Sequence, residues 1–150
     1  VMQVEPTARD GKLYLDAENK PGIPGATVFA SMVSAGRFIK AGKVTLTTTK
    51  SSIIPAGITV DEIFCPLSPQ SWEVDSRSVV IPATGGRVMC HRPRFDKWSL
   101  PFTLDVDESL FAPDVVRQLL DEAGKKIGLG DFRPERRGAF GRFLVMSWKQ

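Results

Sequence analysis

Two stretches of the chain repeat their apolar residues at helical spacing, and several others alternate at period two. Between Ile23 and Phe38, Val28, Met32 and Ala35 share one helical face with Phe29 and Val33 beside them, which predicts a helix from about Gly25 to Lys40. Val115, Val116, Leu119, Leu120, Ala123 and Ile127 form the apolar stripe of a second helix. Pro113 suits its first turn, Asp114 complements the dipole there, and Lys125 and Lys126 sit at its end. The alternating stretches predict strands at 43–49 and again at 53–65 after a break at Pro55-Ala-Gly57. Ser78–Pro82 and Arg87–His91 flank Ala83-Thr-Gly-Gly86 as a hairpin. Trp98, Leu100, Phe102, Leu104 and Val106 give the cleanest alternation, although Pro101 demands an edge or a bulge. Short strands are predicted at 1–4 and 11–15 and a closing strand at 142–149, while 66–78, rich in serine and proline, reads as irregular.

Reduced to order, this is an α+β chain with a βαββαβ core, the ferredoxin-like (RRM-like) arrangement, carrying a β-rich insertion at about 43–83. Its 150 residues, 42% hydrophobic and 25% charged, are expected to form a single domain over 1–150 with a proper core. No apolar run reaches a membrane span and nothing resembles a secretory leader. The chain begins with Val1 rather than Met, so residues can precede it. Cys65 and Cys90 form no CxxC pair and His91 is the lone histidine, which argues against structural zinc and implies no metal or other cofactor. Without a secretion signal the cysteines read as reduced and the protein as cytoplasmic, and the sequence leaves open a disulfide between them.

Charge changes this picture by its distribution. The net charge of +3 is mild, but from Lys125 to Lys149 seven basic residues face only Asp131 and Glu135, giving +5 there and −2 elsewhere. That basic quarter contains a glycine-rich loop: Gly128-Leu-Gly130, then Arg133, Arg136 and Arg137, then Gly138-Ala-Phe-Gly141, with Arg142 beyond. Glycine lets another backbone come close, and an arginine cluster suits a phosphate chain. A long surface loop after a helix cap is the plainer reading. A second basic cluster, Arg87, His91, Arg92, Arg94 and Lys97, precedes Trp98. Phe132, Phe140 or Trp98 would stack bases if they are not buried in the core. At the start of the first helix, Gly25, Ala26 and Thr27 would offer backbone N–H groups to a phosphate, or simply begin a helix.

With the loop and the helix start both placed, the chain resembles the RAMP superfamily of CRISPR-associated RNA-binding proteins. These share a ferredoxin-like core and a loop of the type glycine-hydrophobic-glycine, basic spacer, glycine-x-glycine, between the last helix and the last strand. Many also carry Ile-Pro-Gly-Ser-Ser-Leu-Lys-Gly at the first helix, where this chain has Ile23-Pro-Gly-Ala-Thr-Val-Phe-Ala30. The resemblance covers roughly residues 22–40 and 87–150. The last glycine pair is spaced by three positions rather than two, and Phe29 stands where the family has lysine. At this length the chain looks like a compact relative, of the kind found among uncharacterised phage genes.

The resemblance implies a non-enzymatic protein that binds single-stranded nucleic acid, RNA before DNA, through the sugar-phosphate backbone. It also implies self-association or other subunits of a ribonucleoprotein as partners. The expected contacts are Gly128, Gly130, Arg133, Arg136, Arg137, Gly138, Gly141, Arg142, Arg87, Arg92, Arg94, Lys97, Trp98, Gly25 and Thr27. A metal-independent endoribonuclease is the alternative. Its only motivated general base is His91, which matches no catalytic position of the family. Relatives that cut target RNA use a loop aspartate, and Asp16, Asp96 and Asp131 are all candidates. A viral structural or interaction module with no nucleic-acid role is the third reading. Gly36-Arg-Phe-Ile-Lys-Ala-Gly-Lys-Val44 misses a P-loop in both glycine spacing and final residue, which argues against nucleotide hydrolysis.

Overall fold

A computed structural model of the protein describes residues 18, 20–68, 73–95, 97–130 and 133–149. These residues form two helices and four small antiparallel ladders, an α+β architecture. The chain groups into two compact units, one of residues up to Pro24 with Phe64–Pro101, the other of Gly25–Ile63 with Phe102 onward. No helix among the described residues is long and apolar enough to cross a membrane. The strands predicted at 1–4 and 11–15 lie outside the described residues.

In the first unit, β1 (Gly22–Pro24) pairs antiparallel with β5 (Phe64–Pro66), and β6 (Glu73–Val80) pairs with β7 (Arg87–Arg94). The hairpin predicted from Thr84-Gly-Gly86 is present and longer than the sequence suggested. Its six-residue connection closes with Ile81 donating to the Gly86 carbonyl and Gly85 donating to Ile81, Gly85 being at φ 71°. β6 begins at Glu73, inside the stretch read as irregular. Its mixture of Glu, Asp, Ser and Arg gives no clean period-two alternation, so the strand is hidden in the sequence. Ser68 and Ser99 form an isolated bridge.

The second unit carries the larger core. In α1 (Gly25–Ala35), Gly25, Val28, Ser31, Met32 and Ala35 are buried on one face. In α2 (Pro113–Glu122), Val116, Leu119 and Leu120 are buried, and the turn 123–127 that follows it adds Ala123 and Ile127. Met32 and Ala35 of α1, the buried residues of α2 and its following turn, and Ile39, Leu46, Ile54, Ile58 and Phe111 make one cluster, each large side chain contributing about 1.5–3 kcal/mol by leaving water. β4 (Ile58–Val60) pairs with β8 (Leu104–Val106), and the two-residue strands β2 (Lys40–Ala41) and β3 (Val44–Thr45) form a small hairpin.

Four stretches differ from the sequence reading. The first helix stops at Ala35 and tightens into a 3₁₀ turn over Gly36–Phe38, not at Lys40. Thr47 ends it: its Oγ1 donates to the Val33 carbonyl at 2.6 Å and its N–H to the Gly36 carbonyl at 3.2 Å. A side chain at Gly36 would strike Thr47, so glycine is required where the two segments touch. Of the predicted strand 43–49 only Val44–Thr45 enters a ladder, and Thr47 makes an isolated bridge to Ser52. Residues 98–106 keep alternating burial throughout, yet only 104–106 enter a ladder and Ser99 makes an isolated bridge, with Pro101, which has no N–H to give, between them. Residues 142–149 likewise alternate in burial. Phe143, Val145 and Trp148 pack on the core while Leu144 and Met146 face out, and the segment enters no ladder among the described residues.

Candidate nucleic-acid interface

The glycine-rich loop of the second unit is built from its two ends inward. After α2 the backbone widens into a π turn over Ala123–Ile127, closed by the Gly128 N–H donating to the Ala123 carbonyl at 2.7 Å. Gly128 then leaves the helix at φ 76°, a conformation that favours glycine. Its carbonyl accepts a buried hydrogen bond of 3.0 Å from Ser31 Oγ on α1, so the small residue there fixes the loop to the helix. Leu129 is buried, and its N–H donates to the Gly141 carbonyl at 3.0 Å, closing the loop at its base. Gly141 sits at φ 84° with its α-carbon pressed on the Leu129 backbone, leaving no space for a side chain. Gly124 plays the same part against Phe143, whose N–H it receives at 3.2 Å.

Between these ends the basic spacer folds into a turn of its own. Pro134–Arg136 is a 3₁₀ turn, and the Arg133 carbonyl accepts from both Arg136 and Gly138 at 2.9 Å. Arg137 lies in the left-handed region at φ 64°, costing about 1–2 kcal/mol for a residue with a Cβ. Arg133 is committed to the loop itself. Its guanidinium donates to the Gly130 carbonyl at 2.9 Å and to Glu135 Oε1 at 3.0 and 3.3 Å. Arg37, beyond α1, reaches the other carboxylate oxygen at 3.4 Å. Burial pushes the Glu135 carboxyl up, but a hydrogen bond from Ser34 and the charges of Arg133 and Arg37 outweigh it, holding the group below its ordinary value.

The remaining cations of the loop are disposed otherwise. Arg136, Arg137 and Arg142 are exposed, and none of them enters an ion pair among the described residues. Gly138 is half-buried, and Gly130 lies at φ 93° with open space beside it. Phe140 is 41% exposed. Asp131 and Phe132 lie outside the described residues.

The other expected contacts fall elsewhere. Gly25 is buried, its N–H already donates to the Ile63 carbonyl at 2.8 Å, and a side chain there would strike the Glu62 carbonyl. Glycine at this position therefore serves backbone packing, and the N–H proposed for phosphate is occupied. Thr27 is half-buried on α1. Arg87, Lys97 and Trp98 belong to the first unit, where Arg87 Nε donates to Ser78 Oγ at 3.0 Å, Lys97 is exposed and Trp98 is half-buried. Arg92 and Arg94 lie on β7 in register with Asp75 and Glu73, and His91 with Ser76. Asp16 and Asp96 are outside the described residues. Among the described residues no group of three His, Cys, Asp or Glu side chains is placed to hold a metal ion.

Sequence reasoning missed Arg37, Phe38 and Glu135 as parts of this region. Arg37 and Phe38 follow the apolar stripe of α1 and read as its continuation; their neighbours come from nearly a hundred residues away. In the sequence Glu135 is only a charge opposing the arginines, whereas in the fold it organises one of them. No family model matches the chain, and no curated protein matches it.

Proposed function

We propose that the protein binds single-stranded nucleic acid, RNA in the first place, through the phosphates of its backbone, and does no chemistry on it. The observation that carries this reading is the division of labour among the loop arginines. Arg133 is spent on Glu135 and on the Gly130 carbonyl, which stiffens the loop, while Arg136, Arg137 and Arg142 are exposed and unpaired among the described residues. Preorganised cations lose little entropy on meeting phosphate, and their release of counterions drives binding. A RAMP-type, ferredoxin-like core belongs to the same proposal. Its support is the pair of helices packed with the β4–β8 ladder and the position of the glycine-rich loop between α2 and the extended final segment.

The test is a fluorescence-anisotropy titration with a generic single-stranded RNA and a matched DNA at several salt concentrations. Affinity should fall steeply with salt, and Arg136→Glu/Arg137→Glu should abolish most of it and flatten the salt slope. RNA recovered intact from the wild-type mixture separates a binder from an endoribonuclease. A folded protein that binds neither strand at low salt would sink the reading and direct attention to protein partners.

A further inference from the structure

We infer that the end of α1 and the end of α2 together form a nucleotide subsite in which Phe38 is the stacking platform for one base. This inference rests on the nucleic-acid reading above and adds to it a contact with the base rather than the phosphate. Phe38 lies in the 3₁₀ turn after α1 and is 46% exposed, an unusual position for a ring that has a core nearby to enter. Two cations lie over it: Lys126 Nζ is 4.4 Å and Arg37 Cζ 5.6 Å from the ring centroid. Beside the ring is an open groove of about 340 Å³ lined by Phe38, Lys40, Gln118, Asp121, Glu122 and Lys125, within the range of small-ligand sites of roughly 300–1,000 Å³.

The charges of this groove are sorted in favour of an anion. Asp121 is paired with Arg117 at 3.4 Å, and Glu122 Oε2 lies 2.8 Å from Lys126 Nζ, an ion-pair distance without an aligned hydrogen bond. Lys40 and Lys125 are exposed and enter no ion pair among the described residues. Both carboxylates are thus neutralised locally, while two lysines remain beside an exposed ring. An aromatic face with free cations at its margin is what a nucleotide needs, the ring for the base and the ammonium groups for its phosphates. Lys126 is itself about half exposed, and an exposed cation–π contact is weaker than base stacking, so an incoming base displaces the ammonium from the ring while it stays paired with Glu122. The subsite is continuous with the loop through Arg37, which touches the Phe38 ring on one side and Glu135 on the other.

The experiment compares a short single-stranded oligonucleotide with an abasic counterpart of the same length and phosphate count. Both are titrated against wild type, Phe38→Leu and Arg136→Glu/Arg137→Glu. Wild type should bind the base-bearing strand about tenfold tighter than the abasic one, a modest stacking contribution. Phe38→Leu should erase that preference and leave abasic binding unchanged. The loop double variant should weaken both strands and keep their ratio. Because the ring is half exposed, Phe38→Leu should fold as wild type does, which circular dichroism and a thermal melt verify. A preference retained by Phe38→Leu overturns the subsite while leaving the arginine loop standing. Absence of wild-type binding to either strand overturns the underlying reading and the subsite with it.

Discussion

Gly141→Ala isolates the contact that closes the loop. Gly141 is at φ 84°, and a Cβ there would lie under 3.0 Å from the Leu129 nitrogen, carbonyl carbon and carbonyl oxygen. Backbone atoms cannot rotate away as a side chain can. The substitution therefore carries about 1–2 kcal/mol for the left-handed conformation and about 1 kcal/mol for the Leu129 N–H to Gly141 hydrogen bond it forces apart. A total near 2–3 kcal/mol corresponds to a loss of roughly 5–10 °C in melting temperature for a chain of this size. Gly130→Ala is the internal control. Gly130 has φ 93° but nothing within 4 Å of a built Cβ, so only the conformational cost of about 1–2 kcal/mol applies. Thermal melts followed by far-UV circular dichroism, with urea titrations alongside, measure both variants. Equal destabilisation of the two, or a Gly141→Ala protein within about 0.5 kcal/mol of wild type, the range of an ordinary surface substitution, would show that Leu129 and Gly141 are not in close backbone contact.

Three further outcomes follow from the same region. Ser31→Ala removes the side-chain donor to the buried Gly128 carbonyl and should cost about 1–3 kcal/mol in urea unfolding, whereas an exposed serine would cost almost nothing. Arg137→Gly relieves the strain at φ 64° and should stabilise the fold by roughly 0.5 kcal/mol, the balance of left-handed strain against glycine's greater chain entropy. The same variant should weaken RNA binding, so a protein that melts higher and binds less tightly is the expected pair of readings. Glu135 has a carboxyl held below its ordinary value in the folded state. The stability it contributes is complete above the unfolded value and disappears as pH falls through the depressed one. Melting temperature against pH should therefore flatten in that acid range in Glu135→Gln, and superimposable wild-type and variant profiles would refute the Arg133–Glu135–Arg37 link.

What the sequence determined by itself is the part of the protein governed by neighbours in the chain. The stripe from Val115 to Ile127 defined α2, because residues three and four apart share a face in any helix, and it narrowed the cap to Gly128 or Gly130, of which Gly128 leaves the helix at φ 76°. The Thr84-Gly-Gly86 hairpin was legible for the same local reason. Tertiary structure decided the rest. α1 ends at Ala35 because Thr47 caps it from eleven residues beyond Gly36, and β4 finds β8 across more than forty residues, neither of which leaves a periodic trace. The candidate site divides in the same way. A cluster of arginines beside glycines can be read from composition, but whether an arginine meets a carboxylate or solvent depends on where the chain returns. Arg133 has Glu135 within reach and Arg136 does not, and Phe38 is exposed beneath Lys126 because the ends of two helices meet there. Charge pairing and burial are properties of three-dimensional proximity, so which cations are available to a ligand was settled only when the chain folded.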